Sequence, residues 1–287
     1  MTTLTVPDRY LALAPVIVSS PTSRCGTTLV QRLLTASGNG FIYGEEVGHQ
    51  IRTVTVWLIG LLRRFEQTGP SGDEDFARAL AGTLADWRPG ITAPAEIMRS
   101  AWIETYYQLP AALADYSRSV GRPVWGFKLP GLDRGTLKAL LSLMPRARVV
   151  YLIRNLADVL SSAKARRFVA TQEETARFCA EWATNVRESI DLAFEKRVLV
   201  IRYEDLLAER EDHLRLLEQF TGAQGLDPRV FNLKLNTFEG QAEDGCSPSQ
   251  YIAPAELTKV ERDIVMSEAG PVLTYLYPQP FDLADAA

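Results

Sequence analysis

The chain has 287 residues, 46% hydrophobic and 23% charged, with a formal net charge of −4. That length and balance suit one large α/β domain or two small ones with a full core, and the negative charge argues against nonspecific nucleic-acid binding. Cys25, Cys179 and Cys246 are too far apart for a disulfide framework or a zinc pattern, which points to a reducing compartment. In chain order, PVIVS at 15–19 reads as the first strand, followed by a polar turn with one glycine, Gly26, and a helix over 27–37. GFIY at 40–43 is a second strand. The interval 47–120 has no strand pattern and reads as a helical insertion over the sheet edge, with a loop at 66–75 and three tryptophans, Trp57, Trp87 and Trp102, whose simplest role is packing. PVWGF at 123–127 is the third strand, a helix over 135–144 is stopped by Pro145, and RVVYLI at 148–153 is the fourth strand. Helices over 155–167 and 172–194 lead to a last strand, RVLVI at 197–201, and a Gly/Pro/polar-rich segment at 222–255 loops back over the sheet.

Val- and Ile-rich strands with little alternation imply a parallel sheet covered on both faces. Strands alternating with helices imply right-handed crossovers. The expected fold is therefore α/β: a P-loop-like doubly wound parallel sheet flanked by helices, a single domain over 1–287 with its insertion at about 47–120. Ligands in such sheets bind at the carboxyl ends of the strands.

Charge is unevenly spread. Residues 122–167 hold ten Lys or Arg against two acids, a local +8, while the rest of the chain carries −12. Solvated helix faces account for most of such cations; the alternative is a local field for an anionic ligand. The loop after the first strand favours an anion. A helix N-terminus leaves backbone N–H groups unpaired and is partially positive. Gly26 admits close approach, Thr27 and Thr28 add hydroxyls, and Arg24 adds a planar fork of donors. A nucleotide-triphosphate loop would read G-x-x-x-x-G-K-[ST], whereas here Arg24 precedes the only glycine and no lysine follows. A second candidate is the strand end at Arg154, with Ser162 eight residues on, able to hold another phosphate. As structural features only, Asn155 or Asp158 would be a helix cap and Ser162 a surface serine.

Together the two motifs resemble those of sulfotransferases. S-R-C-G-T-T-L at 23–29 resembles their 5′-phosphosulfate loop, and R-N-L-A-D-V-L-S-S at 154–162 resembles their 3′-phosphate motif. IRYEDLLAERE at 201–211 resembles a segment common after their last core strand. Arg24 in the loop, YGEEV at 43–47, GFKLP at 126–130 and SPSQYIAP at 247–254 are most similar to the tyrosylprotein and carbohydrate branches. The chain departs from the pattern at Ser23 and Cys25, and the double Glu stands one residue further from Arg24.

The resemblance implies transfer of a sulfuryl group from 3′-phosphoadenosine 5′-phosphosulfate (PAPS), leaving PAP, with no metal. It implies donor contacts from Arg24, Cys25, Gly26, Thr27, Thr28, Leu29, Arg154, Ser162, Tyr203, Ser247 and Gln250. Arg24 and Lys128 would neutralise charge around the moving group, and Glu46 would be the general base, its pKa raised by burial. Glu45 and His49 compete for that role, and His213 reads as a helix-surface residue. Cys25, beside an anion site, has the option of a lowered thiol pKa. The expected acceptor is a small molecule or carbohydrate hydroxyl, with a peptide tyrosine as the alternative. A small-molecule kinase and a non-catalytic nucleotide binder are the rival classes. The chain opens without a basic segment followed by an apolar run, and its longest apolar run, VTVWLIGLL at 54–62, is short for a membrane span. The expectation is a cytoplasmic protein with no membrane or nucleic-acid partner.

Overall fold

The Val- and Ile-rich runs form one parallel sheet in the computed structural model, which describes residues 6–68, 71–83, 93–190, 195–233 and 253–278. Strands β1 (Val16–Ser20), β2 (Gly40–Tyr43), β3 (Val124–Pro130), β4 (Arg148–Ile153) and β5 (Val198–Arg202) lie in the order β2-β3-β1-β4-β5. Every pairing is parallel. Helices α1 (Thr27–Ala36), α8 (Tyr203–Ala208) and α9 (Arg210–Thr221) cover one face, where Val16, Val18, Val150, Leu152 and Ile201 pack. Helices α5 (Arg134–Leu143), α6 (Leu156–Ala165), α7 (Gln172–Ile190) and α10 (Lys259–Leu276) cover the other, over Ile17, Val149, Tyr151 and Ile153. Adjacent strand residues thus enter different layers, and both faces are lined mainly by apolar residues. This is why the strands read as continuous apolar runs rather than alternating ones.

After β1 the chain crosses to β2 at one edge; after β4 it moves to β5 at the other. The crevice between the carboxyl ends of β1 and β4 is the topological switch point, the usual ligand position in open α/β sheets. The loops carrying Arg24 and Arg154 both open there.

The insertion is helical among its described residues: α2 (Glu45–Thr68), α3 (Ser71–Leu80) and α4 (Ala95–Ser119). Ile103, Tyr106, Tyr107, Leu58 and Leu62 form a satellite core with Tyr10 and Trp125. Trp102 packs edge-on against Phe65, with ring centroids 5.7 Å apart; Trp57 is exposed instead, and Trp87 lies outside the described residues. The loop expected at 66–75 is mostly helix, because α2 runs to Thr68 and α3 restarts at Ser71. Asp73 and Glu74 in the first turn of α3 suit its positive N-terminus.

Two further boundaries and one whole helix differ from the sequence reading. The third strand extends to Pro130 because β1 continues to Ser20 and the two pair in register, Val18 with Lys128 and Ser20 with Pro130. Helix α6 stops at Ala165, where Phe168 N–H bonds the Ala163 carbonyl and Arg167 N–H that of Lys164, with Arg167 in the left-handed region at φ 59°. Helix α10 falls where no helix is anticipated. Its signal is present in the sequence: Thr258 and Glu261 form a capping box.

Helix α2 lies close against β3 because residue 48 is glycine. A Cβ there would stand 2.3 Å from the Lys128 carbonyl oxygen and 3.1 Å from Leu129 Cβ. Gly48→Ala is therefore expected to lower the unfolding free energy by about 1–3 kcal/mol, the usual cost of overpacking, measured by urea denaturation; an unchanged midpoint would mean that α2 is free to shift.

Candidate active site

The β1–α1 loop is pinned before it reaches the ligand edge. Ser20 Oγ donates to the Thr22 carbonyl at 2.6 Å, Asn185 Nδ2 donates to the Pro21 carbonyl at 2.7 Å, and Ser19 Oγ donates to the Leu129 carbonyl at 2.7 Å. The loop then makes two left-handed steps, Arg24 at φ 71° and Gly26 at φ 96°. Gly26 is the N-cap of α1; no side chain caps the helix and no acid lies in its first turn. Its positive end is left for a ligand. Glycine is required at 26 for a second reason: a Cβ would stand 2.3 Å from the Tyr203 ring.

Three guanidinium groups converge beside this loop. Arg24 Nε donates to Ser162 Oγ at 3.1 Å, so the two predicted anion motifs meet directly. Arg154 lies 4.7 Å over the Tyr203 ring, donates to the Arg24 carbonyl at 3.4 Å and reaches Asp158 at 3.9 Å. Its Nε is buried with no hydrogen-bond partner among the described residues. Arg166, 9% exposed, is the third. Burial first, then the charges of Arg166 and Arg154, push the Arg24 pKa down from its ordinary value; burial does the same to Arg166. The sequence reading passes over Arg166 as one cation among ten. Its signal was the four-residue step from Ser162, which puts Arg166, the C-cap of α6, on the side of the helix that carries Ser162.

On the other side of the loop, Lys128 Nζ donates to Thr28 Oγ1 at 2.9 Å and pairs with Glu45 Oε1 at 2.9 Å. Lys128 lies inside β3, not beyond it, and is 8% exposed. At about 100° per residue, Glu45 sits roughly 60° around α2 from Gly48, the residue pressed on β3, whereas Glu46 sits roughly 160° away. Glu46 is accordingly exposed, accepting from Gln50 at 3.2 Å. The burial required of it as a base is missing, because one residue of helix rotation turns it to solvent. His49 is also exposed on α2, its carbonyl accepting from Thr53. His213 is on α9, its Nδ1 3.0 Å from the Glu209 carbonyl oxygen.

Of the remaining expected residues, Thr27 and Leu29 are buried in the first turn of α1. Cys25 is fully buried, and burial pushes its thiol pKa up. A lowered thiol pKa is therefore corrected: the loop turns the side chain into the core, and the thiol lies 3.8 Å from Thr22 Oγ1. Ser247 and Gln250 lie outside the described residues. Among the described residues, no group of three or more His, Cys, Asp or Glu is placed to hold a metal ion, and no helix is long and apolar enough to cross a membrane.

Comparison with known proteins agrees with the loop motifs. Residues 15–228 match the sulfotransferase family. Among solved structures, the sulfotransferase domain of the olefin synthase from Synechococcus PCC 7002 is 18% identical, covering 92% of this chain and 97% of that one, at a TM-score of 0.49. A sulfotransferase from Alicyclobacillus acidocaldarius is 14% identical, covering 91% and 94%, at 0.47. Retinol dehydratase in complex with retinol and PAP is 17% identical, covering 77% and 64%, at 0.37. The search of curated proteins found no match.

Two outcomes test this geometry. Gly26→Ala should cost at least about 1–2 kcal/mol of stability from the left-handed backbone alone, read from denaturant midpoints, with the Tyr203 contact adding to it. Iodoacetamide near neutral pH should leave Cys25 unmodified in the native protein and modify it after unfolding, as mapped by peptide mass; rapid native labelling would contradict the burial.

Proposed function

The chain belongs to the sulfotransferase family, and from that premise we propose that it transfers the sulfuryl group of PAPS to a hydroxyl of a small-molecule or carbohydrate acceptor. The observation that carries the donor part is the convergence of Arg24, Arg154 and Arg166 beside the uncapped start of α1. Like charges held in a partly buried space destabilise one another, and an anion placed among them relieves that repulsion and gains charge-assisted hydrogen bonds. The buried Arg154 Nε without a partner and the glycine N-cap fit a phosphorylated ligand.

In this reading the N–H groups of Thr27 and Thr28, with Arg24, hold the phosphosulfate. Arg154, Ser162 and Arg166 hold the 3′-phosphate. Tyr203 sits by the nucleotide, and Ser247 and Gln250 remain proposed contacts on the sequence resemblance. The donor supplies an activated sulfuryl group and a phosphate leaving group. The protein orients it, removes the acceptor's proton and stabilises the negative charge that builds on the leaving oxygen.

For the proton, the geometry favours Glu45 over Glu46. Glu45 is half-exposed, and its carboxylate is 2.9 Å from Lys128 Nζ. As the new S–O bond forms, the acceptor proton passes to Glu45. Lys128, held between Glu45 and Thr28, lies where it can follow charge from acceptor side to donor side. The acceptor then enters past the N-terminus of α2, and the insertion shapes its pocket.

Calorimetric titration with PAP and with ATP separates this reading from a kinase. PAP should bind more tightly than ATP, and Arg154→Ala should weaken PAP by roughly tenfold or more, as expected for a charged hydrogen-bonding partner. Preference for ATP would remove the reading. With a turned-over acceptor in hand, Glu45→Gln should reduce kcat by about 10²–10⁴, while Glu46→Gln stays within about threefold, the range of a surface change. The reverse pattern would restore Glu46 as the base.

A further inference from the structure

The family match ends at residue 228, yet α10, at Lys259–Leu276, is bound to the elements that carry the donor residues. At its start, Lys164 of α6 donates to Glu261 at 2.8 Å and to the Glu256 carbonyl at 3.0 Å, and Ser161 hydrogen-bonds Ala255 through both its hydroxyl and its backbone carbonyl. At its end, Arg202 donates to the Leu276 carbonyl at 2.8 Å while pairing with both oxygens of Asp205 at 2.7 Å. One residue on, the Tyr277 hydroxyl donates to Glu204 Oε2 at 3.0 Å. The other oxygen of that carboxylate, Oε1, accepts from the backbone N–H of Asn155 at 2.9 Å.

Asn155 is the residue after Arg154 and the N-cap of α6, its own side chain accepting from Ala157 N–H. The Glu204 carboxylate thus fixes the backbone from which Arg154 departs, at a helix start whose partial charge suits an anion. Tyr203, its neighbour in sequence, lies under the Arg154 guanidinium. Consecutive residues of α8 therefore hold Arg154 twice, Glu204 through the main chain and Tyr203 through the side chain. Burial and the Glu204 charge both raise the Tyr277 pKa, so its hydroxyl stays protonated and donating.

We propose that Glu204 is a positioning residue for the donor site, and that α10 belongs to that site because it delivers Tyr277 to the same carboxylate. The proposal rests on the reading of Arg154 as a PAP ligand. With one oxygen for each partner, Glu204 cannot rotate towards either without releasing the other. Loss of the carboxylate frees the 154–155 backbone, and Arg154 then has to be ordered by the ligand, at the expense of affinity.

The test is PAP calorimetry and thermal melting, with and without PAP, on the full chain and on Arg154→Ala, Glu204→Ala, Glu204→Gln and Tyr277→Phe. Glu204→Ala should weaken PAP on the order of tenfold, as for a lost charge-assisted hydrogen bond. Glu204→Gln keeps a carbonyl acceptor for Asn155 and should recover most of the affinity. Tyr277→Phe should lose roughly threefold, and if Glu204→Ala does not fold, the latter two variants carry the test. PAP affinity unchanged in the Glu204 and Tyr277 variants while Arg154→Ala loses it would overturn the proposal and leave the donor reading standing. Glutamine no better than alanine, with losses tracking the melting midpoint, would reduce Glu204 to a structural residue and also overturn it. No PAP binding by the wild type would remove the donor reading and this proposal together, a result distinct from both.

Discussion

Like charge gathered in a partly buried space is the constraint on which the rest of this structure depends. Burial, and then the charges of Arg166 and Arg154, push the Arg24 pKa down, yet arginine does not escape by deprotonating near neutral pH. Asp158 offsets this from 3.9 Å and from a half-exposed position, and the charge of Glu45 also favours the charged Arg24. Such an arrangement persists only if the surrounding fold is rigid enough to hold it, and the groups around the crevice at the β1/β4 switch point are tied to strands.

Rigidity comes from the sheet. Strand β1 is paired on both sides, with β3 and β4, and its residues alternate between two apolar layers. The loop that follows therefore starts from a fixed point, and Ser19, Ser20 and Asn185 fix it further. The left-handed backbone at Arg24 and Gly26 is affordable because nothing behind it can relax. Lys128 follows the same logic. As a strand residue in register with Val18, it is delivered to Thr28 and Glu45 by the ladder.

The strands and the glycine turn after β1 were legible in the sequence because both obey local rules: branched apolar runs for buried parallel strands, and one glycine at a strand–helix turn. The parts that were not legible depend on rotation or on distance. Glu45 and Glu46 are adjacent and chemically alike; only the phase of α2, set by Gly48 against the Lys128 carbonyl, decides which one meets the lysine. Arg166 looked like surface charge because its burial comes from how α6 packs rather than from its sequence neighbours. A lowered thiol pKa was an option at Cys25 because it borders the loop motif, but the side chain is turned into the core. Helix α10 had a capping box, but the flanking Gly/Pro-rich sequence masked it.

Tyr203 shows how these levels meet in one side chain. Its ring excludes any side chain from position 26 and at the same time supports Arg154. The glycine of the first motif and the arginine of the second are therefore not independent features that happen to share a ligand. Each packs against the same aromatic ring, which directly follows β5. A larger residue at 26 would displace the ring and, through it, the arginine, so damage to one motif would be transmitted to the other without any ligand present. The coupling of the two motifs is thus already built into the protein's packing, and under the proposed function a ligand that bridges them meets a frame whose spacing is set in advance.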